Sequence, residues 1–600
     1  MTHETDIIDP QTAKTLPGLF RERVRRTPLA CAYRRFTAEE RCCEEITWEE
    51  TFVLAGRWQA ALRREGVRPG DRVAVMLMNC LEWVLFDLAA LGLGLVTVPL
   101  FANDRPEDFA YILDQTGARF LLIEGAEQWQ RIEEADGRLP DIERIVTLQR
   151  VCEKDCDPRL AELAVWLPEK GEEYSVQECA PSELATIVYT SGTTGMPKGV
   201  MLSHANILAN AHAGVRQVPV YTDDLFLSFL PLSHTLERTV GYYVPMMAGA
   251  CVAHVRSIDR LADDLAAVRP TVLNSVPRIY ERVHKKILVG LEGKPALARQ
   301  IFYLAVNAGW KRFLHLQGRA GWSPVILLWP LLKKMVADRV TAGLGGRLRL
   351  AISGGAPLAP PIARVFIGLG LNILQGYGLT ETSPVVSVNT PEDNLPATVG
   401  RPLAGVEVKV ACSGELLVRG PAVMLGYWHN SEATEAAIDR DGWFHTGDLA
   451  RIGEGGHITI TGRLKEIIVL STGEKVPPED LELAIAVHPL FEQVMVVGEG
   501  KPFLAALVVL NDRQWTKLAA RLGLPPGDSA LTYPRVEEAL LAEIARRTVR
   551  FPGYARIRRV HAMLSPWGVQ EGLITATLKL RRKQLLEKFA REVEALYEGH

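Results

Sequence analysis

The chain has 600 residues, of which 48% are hydrophobic and 23% charged, and its formal net charge is −3. This length exceeds what one hydrophobic core supports, so several domains are expected. The near-neutral charge excludes a global attraction to nucleic acid or anionic lipid. Nine scattered cysteines, a polar start and the lack of an apolar run of about 20 residues predict a reduced, cytoplasmic protein without a spanning helix.

Apolar strands alternate with helical stretches over much of the chain. The strand candidates lie at 72–78, 96–100, 120–123, 145–148, 184–188, 225–230, 271–274 and 348–353. A helix is predicted over 82–93, directly after the first of them. Because this alternation is typical of parallel sheets covered by helices on both faces, we predict an α/β fold.

Two changes of pattern predict how the chain divides into domains. Short alternating strands begin near residue 400 and indicate a small β subdomain over 400–462. A charged turn follows Gly462, so residues 1–463 would form a large amino-terminal domain and 464–600 a carboxy-terminal domain. Residues 281–340 read as a helical, basic insertion. Its apolar residues at helical spacing fit either a core-packed hairpin or attachment to a membrane surface.

The most informative motif is the loop at 189–199, which reads Tyr-Thr-Ser-Gly-Thr-Thr-Gly-Met-Pro-Lys-Gly. Its glycines allow close backbone approach, and its hydroxyls and lysine donate hydrogen bonds, a combination that suits a polyphosphate. Walker A is excluded, because Pro197 precedes the lysine and Gly199 follows it. The residues expected to hold phosphate are Thr190, Ser191, Gly192, Thr193, Thr194, Gly195 and Lys198.

Three later motifs supply groups that suit a nucleotide. The glycines of 353–357 allow a flat base to lie against the backbone. In 375–382, Tyr377 stands between glycines and can stack on adenine, while Glu381 offers a hard oxygen ligand for Mg²⁺. The segment 442–448 ends in an aspartate, which can accept hydrogen bonds from both ribose hydroxyls.

These motifs, in this order over about residues 20–590, resemble the adenylate-forming enzymes: acyl-CoA synthetases, luciferases and peptide-synthetase adenylation domains. The resemblance implies a large amino-terminal domain of two αβ layers plus a β subdomain, and a mobile carboxy-terminal α+β domain. It assigns adenine and ribose to Gly355, Ala356, Gly376, Tyr377, Asp448 and Arg463, the α-phosphate to Thr380, and Mg²⁺ to Glu381 and Thr190.

The carboxy-terminal motifs resemble the mobile parts of the same family. The segment 573–582 matches its catalytic-lysine region, with Lys579 as that lysine, although Ile574 and Ala576 replace the usual leucine and proline. Lys465 takes the position of the hinge. The segment 471–479 is expected to approach the thiol acceptor, and its candidate residues are Gly473, Glu474 and Lys475.

The stretch Leu-Ser-His-Thr-Leu-Glu-Arg at 232–238 looks like the long-chain fatty acyl branch. In that branch the residue matching His234 lies beside the carboxylate pocket and the acyl channel. The apolar residues that follow fit either an acyl tunnel or core packing, and they are Val240, Tyr242, Tyr243, Val244 and Met246.

The resemblance implies an AMP-forming long-chain fatty acid–CoA ligase that uses ATP and coenzyme A as co-substrates and Mg²⁺ as cofactor. Three alternatives remain: an adenylating enzyme that loads a carrier protein, a P-loop NTPase, and a catalytically dead scaffold on a membrane. Further candidate partners are the inner face of the cell membrane and a second copy of the chain. No nucleic-acid partner is expected.

Overall fold

The computed structural model describes residues 4–36, 43–102, 104–134, 139, 141–151, 157–190, 196–569, 571–575 and 579–598. The loop residues Ser191, Gly192, Thr193, Thr194 and Gly195 lie outside this part, as does Ala576. No helix of the described residues combines the length and the apolar character that crossing a membrane needs.

Two large sheets form the amino-terminal part of the molecule. The eight-stranded sheet has the spatial order Gly426–Tyr427, Lys198–Ser203, Leu184–Thr190, Val96–Pro99, Arg72–Met76, Phe120–Ile123, Arg144–Thr147 and Leu160–Glu162. The nine-stranded sheet has the order Arg401–Pro402, Val385–Val388, Ile373–Gly378, Leu350–Ser353, Val272–Ser275, Leu225–Ser228, Cys251–His254, Cys31–Phe36 and Cys43–Thr47. The central strands of both sheets are parallel, as the alternation predicts.

Helices cover both faces of each sheet. The α-helices of this part are Pro10–Ala13, Leu16–Arg26, Trp48–Arg64, Leu81–Gly92, Pro106–Thr116, Ala126–Glu134, Leu163–Trp166, His204–Gln217, Val244–Ala248, Leu261–Val268, Pro277–Glu292, Ala296–Leu316, Trp329–Leu332, Asp338–Ala342 and Pro360–Gly368. Two π-helices, Glu237–Tyr243 and Lys333–Ala337, and the 3₁₀ turns Pro324–Leu328 and Thr380–Thr382 complete it. The largest apolar core joins the two sheets through the helices Leu81–Gly92 and His204–Gln217 between them.

A small sheet and a separate carboxy-terminal unit follow. The small sheet contains Glu407–Val410, Glu415–Arg419, Phe444–Ile452 and Ile458–Arg463, with the helix Ser431–Ala437 beside it. After the 3₁₀ turn Leu464–Glu466 come the hairpin Ile468–Val469 and Lys475–Val476 and a sheet of Phe491–Val497, Leu504–Leu510 and Ile557–Met563. The carboxy-terminal helices are Pro478–Ala486, Asp512–Arg521, Pro534–Arg547, Arg582–Lys588 and Ala590–Ala595, with 3₁₀ turns at Asp528–Ala530 and Gly553–Ala555.

The carboxy-terminal unit packs against the amino-terminal part through polar contacts. The Lys285 ammonium donates to the backbone carbonyl of Phe491 at 2.8 Å. On the other side of the cleft, Arg581 lies 3.9 Å from the Asp108 carboxylate. Burial, and then repulsion by Asp108, raise the pKa of the neighbouring Asp104 to about 6. Leu483 and Val487 of the carboxy-terminal unit add apolar contacts to a core of the nine-stranded sheet.

Buried histidines give the fold a dependence on pH. Burial lowers the pKa of His254 to about 4, and the ring stacks on Tyr33 with centroids 5.9 Å apart. The unfolded chain would bind a proton at this residue below about pH 6.5, whereas the folded chain would not. The contribution of His254 to stability is therefore present above pH 6.5 and is lost as pH falls toward 4.

We expect His254→Gln to flatten the dependence of unfolding free energy on pH. The difference between variant and wild type should shift in favour of the variant by about 2 kcal/mol between pH 7.5 and pH 5. Urea unfolding at both pH values measures this shift. The exposed His315 provides the control, His315→Gln, and an equal shift in both variants would contradict the prediction.

Candidate active site

The phosphate loop is closed at its base by two paired strands. Thr190 ends one strand and Lys198 begins the next, and they are direct partners in the antiparallel ladder. The Lys198 ammonium lies 4.9 Å from the ring centroid of Tyr427. The sequence did not predict Tyr427 as a site residue. Its two-residue strand joins this sheet only through long-range pairing with Val200.

Three predicted nucleotide residues form one connected polar group. The Tyr377 hydroxyl donates to Asp448 Oδ2 at 2.6 Å, and Arg463 Nε lies 3.0 Å from Asp448 Oδ1. Asp448 and Arg463 face each other on adjacent strands of the small sheet, so backbone pairing sets their distance. A carboxylate offers about four lone-pair positions, so Asp448 retains acceptors for ribose hydroxyls.

The glycines predicted to admit the base differ in what surrounds them. Gly355 has a φ of +79°, and an added Cβ would meet only Val276, at 3.7 Å. At Gly378 an added Cβ would lie 1.9 Å from the Pro384 carbonyl oxygen, so no side chain fits there. Gly355, Ala356, Gly376 and Tyr377 all line the same cavity.

The predicted magnesium ligand, Glu381, lies in the short 3₁₀ turn Thr380–Thr382, which contacts the strand Lys198–Ser203. Tyr427 donates its hydroxyl hydrogen to Glu381 Oε1 at 2.9 Å, which orients the carboxylate. No group of three or more His, Cys, Asp or Glu side chains among the described residues could hold a metal by itself. A single oriented carboxylate nevertheless fits Mg²⁺ that arrives with ATP, because such an ion keeps waters and phosphates as its other ligands.

The carboxy-terminal unit brings Lys579 to this cavity. The backbone amide of the lysine donates to Thr575 Oγ1 at 3.0 Å. The residue is exposed to solvent, although many protein atoms lie around its side chain. Burial, and then the charge of Arg463, lower the pKa of Lys579, while Glu479, Asp448 and Glu466 oppose that change. The lysine thus shares one cavity with the residues predicted to bind the nucleotide.

Glu479 is the last residue of the segment expected to approach the thiol acceptor, and it shares the cavity lining with Lys579. Burial, and then repulsion by Glu466 and Glu482, raise its pKa to about 7, and Lys579 and Arg463 oppose the rise. Glu479 lies on a helix of the carboxy-terminal unit and lines the cavity. Among these charged neighbours only Arg463 belongs to the amino-terminal part, whereas Glu466, Glu482 and Lys579 belong to the carboxy-terminal unit. Because Lys579 lies 100 residues further along the chain, no local sequence pattern predicts this environment.

His234 lines the cavity at the start of the long π-helical segment. Its Nδ1 accepts a hydrogen bond from the Leu236 amide at 3.1 Å. Burial, and then the charge of Lys579, lower its pKa to about 4. The ring is therefore neutral at physiological pH, and its proton resides on Nε2, which leaves that nitrogen as a hydrogen-bond donor.

Thr380 also lines the cavity and approaches the same segment, because the Thr235 hydroxyl contacts its Oγ1 at 3.5 Å. Lys465 lies in the turn Leu464–Glu466 and lines the cavity as well. Gly473, Glu474 and Lys475 are not brought to it. They form the tip and side of a largely exposed hairpin on the carboxy-terminal unit, and they are absent from the described residues that line the cavity.

One cavity of 2090 Å³ contains all of these lining groups. It exceeds the range of about 300–1,000 Å³ typical of a pocket for one small ligand, so it has room for two substrates. Its apolar lining includes Gly214, Val218, Val220, Phe226, Val240, Val244, Ile352 and Val388.

Two of the five tunnel candidates, Val240 and Val244, belong to this lining. Core packing accounts for two others. Tyr243 donates its hydroxyl hydrogen to Asp87 Oδ2 at 2.8 Å, and the Tyr242 ring packs edge-on against Trp83. Met246 is also fully buried in the main core.

We expect Asp448→Asn to raise the KM for ATP by about tenfold or more, since it removes a charge that holds Arg463 and would accept from ribose. The pyrophosphate-release rate as a function of ATP concentration measures this effect. Asp441→Asn, at an exposed position of the same subdomain, should leave KM unchanged. An unchanged KM in Asp448→Asn would contradict its assignment to ribose.

Comparisons with known proteins show the family to which the chain belongs. The AMP-binding enzyme family model matches residues 20–428, and the model of the AMP-binding enzyme C-terminal domain matches 465–600. The long-chain-fatty-acid–CoA ligase FadD15 of Mycobacterium tuberculosis is 34% identical over 550 residues, which cover 89% of each chain. Long chain acyl-CoA synthetase 6, peroxisomal, of Arabidopsis thaliana is 30% identical over 92% of this chain and 81% of its own.

Solved structures share the fold at lower identity. The adenylation domain of a carboxylate reductase from Mycobacterium chelonae superposes with a TM-score of 0.76 at 21% identity, over 99% of this chain and 94% of that one. ATP-bound MatB from Rhodopseudomonas palustris gives a TM-score of 0.71 at 23% identity, over 96% and 99%. The chain therefore belongs to the AMP-binding enzyme family, within the branch of adenylate-forming enzymes that includes the long-chain fatty-acid–CoA ligases.

Proposed function

We propose that the protein activates a long-chain fatty acid with ATP and then transfers the acyl group to coenzyme A. The observation that carries this proposal is that Lys579 lines one cavity together with Asp448 and Arg463, and that this cavity also has an apolar part. The relatives that match most of the chain are named as long-chain fatty-acid–CoA ligases and acyl-CoA synthetases, which supports both the acid and the acceptor.

In the first step a carboxylate oxygen attacks the α-phosphorus of ATP, and the bond to pyrophosphate breaks. Lys579 would contact both the carboxylate and the α-phosphate, which orients the reactants and offsets the charge that develops. Thr380 would donate to the α-phosphate, and the Nε2 proton of His234 to the carboxylate. Thr190 and Lys198 would hold the departing pyrophosphate.

Glu381, with Thr190, would hold Mg²⁺, which when bound neutralises negative charge on the phosphates. The orientation of its carboxylate by Tyr427 supports this assignment. The binding of Mg²⁺ is itself proposed here.

In the second step the coenzyme A thiolate attacks the acyl carbonyl, and AMP leaves. The segment assigned to the thiol, 473–475, lies on an exposed hairpin outside the cavity. The carboxy-terminal unit must therefore turn to present it, and we assign Lys465 as the pivot. The same turn would withdraw Lys579, so that one cleft serves two reactions in sequence.

The decisive experiment measures pyrophosphate release with acids of increasing chain length, with and without coenzyme A. We expect AMP and pyrophosphate as products, and an acyl-CoA thioester only when coenzyme A is present. Release of ADP would overturn the proposal in favour of a different NTPase. Loading of a carrier protein without any coenzyme A thioester would favour the carrier-loading alternative, whereas inactivity with every acid would favour a scaffold.

We further propose that the protein works at a membrane surface. The expectations of a cytoplasmic location and of a homodimer stay predictions.

A further inference from the structure

Two cysteines on neighbouring strands of the nine-stranded sheet bring their sulfurs together. The Sγ atoms of Cys31 and Cys251 lie 3.1 Å apart, although 220 residues separate them in the chain. Their strands, Cys31–Phe36 and Cys251–His254, are parallel neighbours. Adjacent strands lie about 4.8 Å apart, within the Cα separation of about 4.4–6.8 Å that a disulfide spans. A bond of about 2.05 Å would therefore need only a short approach of the two sulfurs.

An irregularity at the start of one strand explains how the two side chains meet. Tyr33 is the partner of Val252, and both pack in the largest core, between the two large sheets. In a regular strand Cys31 would share the face of Tyr33, because side chains alternate. The register shifts between these two residues, and Cys31 packs instead with Cys251 in the core on the other face of the sheet. The contact of the two thiols thus depends on this shift.

The two thiols differ in exposure and in proton affinity. Cys31 is half-buried and Cys251 is buried, so a small solute reaches Cys31 more easily. A hydrogen bond from Cys251 lowers the pKa of Cys31, against the effect of burial. The Arg34 guanidinium also favours the Cys31 thiolate, whereas the charge of Glu45 opposes it. The same hydrogen bond, and then burial, raise the pKa of Cys251, which therefore keeps its proton.

We propose that Cys31 and Cys251 form a reversible oxidation site for hydroperoxides. The Cys31 thiolate attacks a peroxide oxygen, so that an S–O bond forms and the O–O bond breaks. With hydrogen peroxide, the hydroxide that leaves takes a proton from solvent and becomes water. The Cys251 sulfur then attacks the Cys31 sulfur, an S–S bond forms, the S–O bond breaks, and the Cys251 proton leaves with that oxygen as a second water. The thiol pair loses two electrons and the peroxide gains them, and a dithiol reverses the change.

The bond would fasten one edge of the nine-stranded sheet. The hairpin of Cys31–Phe36 and Cys43–Thr47 forms that edge. It pairs with the strand Cys251–His254 at two positions, Tyr33 with Val252 and Arg34 with Ala253. A covalent link at the start of this short pairing would oppose local opening of the hairpin.

Peptide mapping of the full chain after treatment with hydrogen peroxide tests the site. We expect a peptide pair that joins Cys31 to Cys251 with the loss of two hydrogens, and recovery of both thiols with dithiothreitol. Cys251→Ser keeps a hydroxyl that can donate to Cys31 but cannot form the bond. This variant should hold Cys31 as a sulfenic acid, with about tenfold or more labelling by dimedone than in the wild type.

Cys43→Ser is the matched control for the cysteine variants. Cys43 packs in the same core as Cys31, but it pairs opposite Phe36, at the far end of the strand. The Cys43→Ser variant should form the link as the wild type does. A link from Cys31 to Cys43 would overturn the proposal, as would oxidation of Cys31 to a sulfinic acid without any link to Cys251.

The rate of oxidation tests the role of the neighbouring charge. Arg34→Gln should slow the reaction of Cys31 with hydrogen peroxide by about threefold or more, because the thiolate loses a favourable charge. Arg35→Gln is the matched control, since Arg35 is the next residue of the strand and pairs with Glu44. It should react at the wild-type rate. Equal rates in all three proteins would remove Arg34 from the site.

Amide hydrogen exchange tests the effect on the sheet. In the oxidised wild type, exchange over 31–36 and 43–47 should slow by about tenfold or more, and dithiothreitol should reverse the effect. Cys31→Ser should show no such change after the same treatment. Unchanged exchange in a wild type that carries the link would overturn the proposed fastening of the edge.

The oxidation site does not depend on the proposed function. Cys31 and Cys251 are absent from the described residues that line the substrate cavity. Cys31→Ser should therefore support pyrophosphate release at the wild-type rate. A protein that forms the link but activates no acid would keep the oxidation site and lose the enzyme assignment. An active protein without the link would lose the oxidation site alone.

Discussion

Replacement of Lys579 by alanine should abolish adenylation while sparing thioester formation from supplied acyl-adenylate. The side chain stands beside Arg463, Asp448 and Glu479, and we assign it to the carboxylate and the α-phosphate of the first transition state. Loss of one such positioned charge costs about 10²–10³ in rate, or about 3–4 kcal/mol. The ATP–pyrophosphate exchange rate measures the first step, and coenzyme A-dependent consumption of acyl-adenylate measures the second.

Lys583→Ala is the matched control for this variant. Lys583 is four residues further along, with 67% of its side chain exposed and only a long 4.0 Å contact to Glu587. The Lys583→Ala variant should catalyse both steps at the wild-type rate. Comparable loss of both steps in Lys579→Ala would remove the assignment, since a residue withdrawn by domain rotation cannot serve the second reaction.

The reverse pattern is expected for Lys465→Pro. Lys465 is the second residue of the 3₁₀ turn Leu464–Glu466, a position where proline is tolerated in the present arrangement. Proline fixes φ near −65°, so it would oppose a rotation that changes this dihedral. Adenylation should persist within a few-fold, while thioester formation should slow by about 10²-fold or more.

Lys465→Ala separates the loss of the side chain from the loss of rotation. It should support both steps, because alanine leaves the dihedral free. Equal slowing of adenylation in Lys465→Pro would show that the substitution distorts the site itself. Single-turnover measurements of the two steps, made on the same preparation, distinguish these results.

The elements that the sequence predicts well are those set by local patterns. The apolar run at 120–123 is a strand, and it is fully buried because both faces of its sheet are covered. The predicted helix over 82–93 spans Leu81–Gly92, although its burial is nearly complete rather than one-sided. Such elements follow from hydrophobic periodicity and chain order alone.

Other features depend on contacts between distant parts of the chain. Tyr427 reaches Glu381 and Lys198 only because a two-residue strand joins the edge of a sheet. The environment of Glu479 depends on Lys579, which is distant in the sequence, and on Arg463 of the amino-terminal part. Tyr243 was a candidate for lining the acyl tunnel, but its hydroxyl contacts Asp87 in the core instead. The local sequence does not distinguish these two places.

The place of the Asp448–Arg463 pair in the small sheet has a consequence for when AMP can leave. The two residues are opposed on neighbouring strands, and the second of them ends its strand immediately before the proposed pivot. When the carboxy-terminal unit turns at the proposed pivot, the small sheet would remain with the amino-terminal part. With the proposed roles, the nucleotide would stay fixed while Lys579 departs, so the enzyme would retain AMP in place until the thiol has displaced it.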